Sequence, residues 1–337
     1  MQRIIKFIVL ASISILFVSC TCNRTKEDKI DAPKLDTTVK IHIHRYEKAL
    51  FSLNKNDLQN ELKRIKPEFH FFLNADLDDQ ANLKQLSDFI NDPQMQENYV
   101  AVQNKYKDIL NIERQLSCAL TYFKYYFPDR RIPKVYTFIG GMDFENPIIY
   151  ADSVLIIALD MYLGEDYKLY TMYGLPQFMK YGMSEEYITR DCIKAMADYY
   201  CYTDLKNATC LDNMMYNGKV LYFMDAMLPE MQDTIKIKYS KKQLAWCYDN
   251  ESKVWAYFID NNMLYSKDYT NFTKFFDPGP FTTVFSKSSP PRTGIWLGWR
   301  IIRKYMKQTD ELNLKKLLEE KDAQKVLTIS KYKPQKP

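Results

Sequence analysis

The chain has 337 residues, of which 46% are hydrophobic, and 47 Lys and Arg side chains against 42 Asp and Glu give it a net charge of +5. Its length suits one large domain or two small ones, and its nearly balanced charge argues against nucleic acid or an anionic membrane surface as the main partner. The only histidines are His42, His44 and His70, so no later helix can carry an HExxH zinc motif.

The first 19 residues have the pattern of a bacterial lipoprotein signal peptide. A basic start is followed by an apolar run over residues 7 to 18, which is short of the roughly 20 residues of a membrane span. The run ends in Ser19 and Cys20, as a lipobox does. We therefore expect cleavage before Cys20 and its acylation, which would anchor the chain to the inner or outer membrane with its globular part outside the cytoplasm. The alternative is an ordinary cleaved signal with a chance cysteine.

A tether and a single globular domain are expected after the signal peptide. Residues 20 to 38 are mostly polar and predict a flexible linker, and residues 39 to 337 are expected to form the domain. The domain opens with Val39, Ile41 and Ile43, which alternate with polar side chains as a strand does.

The middle of the chain predicts both helices and strands. From about 55 to 127, apolar side chains follow a helical period, with Asn and Asp at the predicted N-termini. Residues 134 to 142 and 153 to 163 are rich in Val, Ile, Tyr and Thr, and a strand is predicted in each. The expected fold class is α+β, mostly helical with a small sheet.

Helices are predicted for most of the remaining chain. Ser184, followed by two glutamates, predicts the N-cap of one helix. Later helices are expected over residues 211 to 229, 240 to 264, 293 to 306 and 312 to 320. Gly294 and Gly298 lie four residues apart, which indicates close approach of a neighbouring element. A row of basic residues predicts the polar face of the same helix: Arg300, Arg303, Lys304 and Lys307.

Three carboxylates are candidates for a cleft or a partner contact. Asp160 interrupts an apolar run, so it should be hydrogen-bonded or paired. Asp191 and Asp198 lie two turns apart along one predicted helix, about 10 Å from each other. Carboxylates can perform acid–base catalysis without histidine, although a structural role is the commoner one. His42 and His44 could share a metal, but no third ligand is evident, so neither a metal nor a cofactor is expected.

The cysteines do not form a dense framework or a CxxC motif. Most are expected to be buried thiols. If a disulfide forms, the favoured pair lies among Cys192, Cys201 and Cys210, since an exported compartment permits it.

Several segments together resemble the gliding motility-associated lipoprotein GldB family. They include "IIALDMYLGED" at 156 to 166, "GLPQFMKYGMSEEYI" at 174 to 188 and "GIWLGWRIIRKYM" at 294 to 306. The resemblance extends over residues 39 to 307. It implies an envelope lipoprotein with no established catalytic activity and with partners in envelope or motility machinery.

The family is similar, more remotely, to predicted zinc peptidases that carry HExxH on one helix. On that comparison Lys194 and Asp198 stand where two histidines would be needed, and Asn217 lies near the expected position of an acidic ligand. The resemblance thus implies a degenerate zincin-like scaffold without its metal site.

The expected function is that of a membrane-anchored lipoprotein that acts non-enzymatically, through protein contacts and without a small-molecule substrate. The alternative is a carboxylate-based hydrolase acting on cell-wall or peptide substrates. A deep cleft lined by converging carboxylates would favour the enzyme. A filled core beneath the Ser184 helix, with an exposed aromatic patch elsewhere, would favour the partner surface.

Overall fold

The computed structural model describes residues 30, 32–35, 38–309 and 313–334. The predicted signal peptide and the predicted acylation site Cys20 lie outside the described residues. The strands are β1 (Ile43–Arg45), β2 (Lys134–Phe138), β3 (Ile148–Ala151) and β4 (Val154–Ala158). The α-helices are α1 (Tyr46–Phe51), α2 (Leu58–Ile65), α3 (Gln80–Asn91), α4 (Pro93–Lys105), α5 (Leu110–Tyr126), α6 (Lys168–Met172), α7 (Gln177–Lys180), α8 (Ile188–Tyr200), α9 (Cys210–Met227), α10 (Asp233–Ile237), α11 (Lys241–Asp260), α12 (Tyr269–Phe272), α13 (Thr293–Lys307), α14 (Leu314–Glu319) and α15 (Ala323–Ser330). Within these ranges, each helix is either too short or too polar to be a membrane span.

A small mixed sheet lies among the helices, so the expected α+β class is confirmed. The strand order is β1-β2-β4-β3, in which β1, β2 and β4 run parallel and β3 pairs antiparallel with β4. Helices cover both faces: Tyr136 and Val154 pack in a core with α1, α2 and α3, whereas Val135 and Leu155 face α4 and α5. Burial on both faces explains why β2 and β4 read as apolar runs.

The chain enters the domain along helix α5 rather than as a long strand. The strand predicted over residues 39 to 44 forms only at Ile43 and His44, because the earlier N–H groups of this segment bond to side chains of α5. Alternate N–H groups donate to oxygens on successive turns of α5: Val39 to Thr121 at 2.9 Å, Ile41 to Ser117 at 3.0 Å and Ile43 to Glu113 at 2.8 Å. Two extended residues advance by about 6.8 Å and four helical residues by about 6 Å, so every second N–H of the segment meets a side chain on the next turn of α5.

Helices α9 and α13 cross in close contact, as the glycine spacing predicts. A Cβ atom on Gly298 would overlap the carbonyl of Met214, and one on Gly218 would overlap the backbone of Gly298. Gly294 is similarly close to Phe276. The backbones of α9 and α13 are therefore in direct contact at the crossing.

A buried ion network joins α9, α10 and α13. Arg303 donates to both oxygens of Asp225, at 2.7 and 2.8 Å, and to both oxygens of Asp233. Lys236 and Trp299 also donate to Asp225. The prediction that Arg303 lies on a solvated face is wrong, since its side chain is only 3% exposed. Two cations and two carboxylates balance one another here.

Five cysteines lie within the described ranges, and all are free thiols. Cys118 is exposed, whereas the other four are buried, as expected. The favoured pair among Cys192, Cys201 and Cys210 does not form a disulfide. Burial raises the pKa of each of these three thiols, so they are unreactive core residues.

Candidate functional site

A cleft of about 630 Å³ lies near the N-terminal end of α8. Its wall is mainly apolar and is formed by α7 and the residues after it, the segments that flank β3 and β4, the start of α11 and the loop before α13. The wall residues include Phe144, Met161, Phe178, Met183, Pro280 and Pro291. Several large side chains of the α6–α7 segment are exposed: Met172, Tyr173, Phe178, Met179 and Tyr181. An apolar cleft of this volume is in the usual range for binding sites, about 300 to 1,000 Å³.

Asp191 is the carboxylate at the floor of this cleft. Its Oδ2 accepts hydrogen bonds from the Tyr162 hydroxyl at 2.9 Å and from Lys238 Nζ at 2.8 Å. Its Oδ1 accepts one from Arg190 at 2.6 Å, and the Arg190 Nε in turn donates to the carbonyl of Lys236. The sequence-predicted candidate Asp191 therefore lies in the cleft, but its oxygens are engaged by three partners.

Two cationic residues that were not predicted from the sequence also line the floor of the cleft. Lys238 ends α10 and Arg292 precedes α13, and both have left-handed backbones, with φ of 56° and 57°. Arg292 Nη2 donates to the carbonyl of Ile237 at 2.6 Å, and its guanidinium lies 5.6 Å from the ring centre of Tyr239. A left-handed conformation is uncommon for residues with a side chain, so residue type gives no signal for this arrangement.

Burial sets the ionisation of these groups. It lowers the pKa of Lys238 to about 8, although Asp191 acts in the opposite direction. Burial would raise the pKa of Asp191, but Lys238 and Arg190 outweigh it and hold that pKa below its ordinary value. The pKa of Arg292 is also lowered by burial. At neutral pH the floor thus contains an ionised carboxylate among charged bases.

Asp160 does not belong to the cleft lining, although it precedes the lining residues Met161 and Tyr162, and it is fully buried. Its oxygens accept the N–H groups of Gly140 at 2.9 Å and Met142 at 3.2 Å, as expected for a carboxylate in an apolar run. Gly141 and Met142 both have φ of 67°. Asp160 therefore fixes a left-handed turn after β2. Burial raises its pKa, against the effect of these N–H groups.

Asp198 and Asn217 do not converge with Asp191. Asp198 pairs with Lys194 at 2.6 Å, one turn back on α8, and accepts a hydrogen bond from the Tyr216 hydroxyl. Asn217 donates to the carbonyl of Asn213 within α9. The two predicted carboxylates of α8 thus serve different contacts.

His42 and His44 lie with their ring centres 5.2 Å apart and each meets a glutamate, Glu113 and Glu68 respectively. Within the described ranges, no group of three or more His, Cys, Asp or Glu side chains could hold a metal ion.

The fold and cleft define a mostly helical α+β protein with a mainly apolar cavity. A family model described as gliding motility protein GldB matches residues 25–334, nearly the whole chain. The chain therefore belongs to the GldB family of gliding motility proteins. Comparisons with curated proteins and with solved structures returned no significant match.

Proposed function

We propose that this protein is an envelope lipoprotein that acts through protein contacts made at its apolar cleft, and that it is not an enzyme. The observation that carries the proposal is the state of Asp191. Its lowered pKa makes it a weak base, and both of its oxygens already accept hydrogen bonds. The family membership supports a place in the cell envelope and a role with motility-machinery proteins.

The remaining polar groups of the cleft support the same proposal. Glu165, a second carboxylate in the lining, is exposed and accepts a hydrogen bond from Gln177 at 3.3 Å. The Ser240 hydroxyl accepts the N–H of Gln243 as the N-cap of α11. An exposed group of aromatic and methionine side chains beside the cleft is typical of a partner surface.

Site-specific photo-crosslinking in the native cell tests the proposal. A benzoylphenylalanine at Phe178 or Tyr181, beside the cleft, is expected to capture the same envelope protein. The matched control is Tyr202, which is 80% exposed just beyond the C-terminal end of α8, about 16 Å from Asp191 in the direction of that helix. Crosslinking that is equal at Tyr202 would contradict a role for the cleft. Turnover of a peptide or cell-wall substrate that Asp191→Asn abolishes would instead establish the hydrolase.

The degenerate zincin-like scaffold is a separate part of the proposal. It rests on the remote resemblance to zinc peptidases, in which Lys194 and Asp198 stand where two histidines would be needed; the two side chains pair with each other one turn apart on α8. Zinc titration of the variant Lys194→His/Asp198→His tests it. Adding Asn217→Glu should tighten zinc binding at least about tenfold if the third position faces the pair. An unchanged affinity would reject this ancestry.

A further inference from the structure

The floor of the cleft carries more positive than negative charge. Lys238 and Arg292 line the floor beside one buried carboxylate, Asp191, and Arg190 pairs with that carboxylate from outside the lining, so these buried groups have an excess of two positive charges. Glu165 is the other acidic residue of the lining, and it is exposed to water. Exposed charges are screened much more strongly than buried ones. The exposed carboxylate of Glu165 therefore does little to offset the excess positive charge of the buried floor.

The buried network at the α9–α13 crossing shows that this excess is not general in the molecule. There Arg303 and Lys236 meet Asp225 and Asp233, so the charges cancel. Buried charges are costly unless they are paired. A cavity floor with two unmatched cations is what a site for an anion requires.

Arg292 retains hydrogen-bonding capacity toward the cleft. Its Nη2 donates to the carbonyls of Ile237 and Lys238. Within the described ranges, its Nε and Nη1 groups have no hydrogen-bond acceptor, and Arg292 lines the cavity. Guanidinium groups bind carboxylates through such N–H groups. Helix α11 also begins at this cleft, with Ser240 and Gln243 in its lining, and the N-terminus of a helix favours negative charge.

We propose that the floor of the cleft binds the free C-terminal carboxylate of a partner protein, whose last apolar residues occupy the cavity above it. This inference rests on the proposed function and names the chemistry of the partner. The apolar wall selects an anion that is carried at the end of an apolar chain. Capture of a C-terminal carboxylate by fixed N–H donors is an established mode of peptide recognition.

Fluorescence polarisation with two peptides tests the proposal. The probes are a fluorescein-labelled hexapeptide that ends in Leu-Phe-Leu with a free carboxylate, and the same peptide with a terminal carboxamide. The full chain should bind the acid at least about tenfold more tightly than the amide, since charge-assisted hydrogen bonds depend on the carboxylate. Arg292→Gln should abolish this preference, and Lys238→Met should reduce it.

Matched controls separate binding from folding. Arg114→Gln removes an exposed arginine of α5 and should retain the preference, and thermal melts should show that each variant is folded. Equal binding of acid and amide, a preference that survives Arg292→Gln, or no binding of the acid at about 1 mM overturns the proposal. Binding of decanoate, measured as a thermal shift that Arg292→Gln abolishes, without binding of the peptide acid would assign the floor to a lipid carboxylate and would also overturn the proposal. Site-specific crosslinking at Phe178 with no acid preference would refute this inference alone, whereas substrate turnover would refute the proposed function.

Discussion

Gly218 and Gly298 lie against each other where α9 crosses α13, and neither position has room for a Cβ atom. Gly298→Ala should therefore destabilise the fold by about 1 to 3 kcal/mol, and Gly298→Leu should cost more. At an open helical site the same change to Ala would stabilise slightly. Thermal melts measure the difference. The control is Gly279→Ala, where a Cβ meets nothing closer than 3.8 Å. Equal melting temperatures for the two Ala variants would refute the close contact.

Loss of Asp225 should be among the most costly single changes, because it leaves Arg303 and Lys236 buried with fewer partners. We expect Asp225→Ala to lower the free energy of unfolding by about 3 to 5 kcal/mol. Asp198→Ala breaks a more exposed pair and should cost at most about 1 kcal/mol. Urea titrations of both variants give the comparison, and similar costs would contradict the network's role.

The loss of stability caused by Asp225→Ala should also depend on pH. Burial opposes ionisation of Asp225, but Arg303 and Lys236 lower its pKa in the folded state. A group with a lowered pKa contributes stability above its unfolded pKa and loses it as the pH falls through the folded value. The stability difference between the parent and Asp225→Ala should therefore be largest near neutral pH and should shrink in acid. A constant difference down to the acid transition would contradict this.

Asp160 should act on the turn after β2. Asp160→Ala leaves the N–H groups of Gly140 and Met142 buried without their acceptor, at a cost of about 1 to 3 kcal/mol for each unsatisfied group. The control Asp143→Ala removes an exposed carboxylate that caps neighbouring N–H groups and should cost about 1 kcal/mol or less. Denaturant melts and hydrogen exchange at Met142 measure the effect. Unchanged exchange in Asp160→Ala would refute it.

Lys238 should give the parent a stability advantage that grows in alkali. Its folded pKa of about 8 lies below the ordinary lysine value of 10.5, so between these pH values the unfolded chain binds more protons and stability rises with pH. Asp191, Arg190 and Arg292 act on Lys238, and Asp191 keeps its charge in this window because its pKa is lowered. Buried tyrosines and cysteines titrate in the opposite sense, so the readout is the difference from Lys238→Met.

The difference in the free energy of unfolding between the parent and Lys238→Met should increase in favour of the parent by about 1 to 3 kcal/mol from pH 8 to pH 10.5. Chemical denaturation of both proteins at matched pH values measures it. A difference that stays flat would mean that Lys238 titrates near its ordinary pKa in the folded protein.

The helices that the sequence predicts best are those with local signals at their ends. Ser240 and Gln243 form a capping box at the start of α11, and α9 ends before Pro229. Ser184 shows the limit of such a signal: a 3₁₀ turn follows it, and its hydroxyl caps no N–H. Strand β3 was missed because four residues on the edge of a sheet give too short a pattern.

The candidate site was only partly predictable. Asp191 was predicted as a candidate from its position on a predicted helix. Lys238 and Arg292 were not predicted, because their placement depends on left-handed backbones and on contacts across 47 or more residues of sequence. Arg303 was assigned to the wrong face for a related reason. Its two carboxylate partners lie 70 and 78 residues away, and a helical period cannot reveal them.

The attachment of the entering segment to α5 determines how the domain bears mechanical load. A force applied to the chain at Thr38 reaches the domain through the bonds to Thr121, Ser117 and Glu113. When the pull is along the segment, the three bonds are sheared together and share the load. When it is perpendicular, the bond of Val39 carries the load first and the others open in turn. The direction of tension therefore decides whether this attachment resists as a unit or peels away one bond at a time.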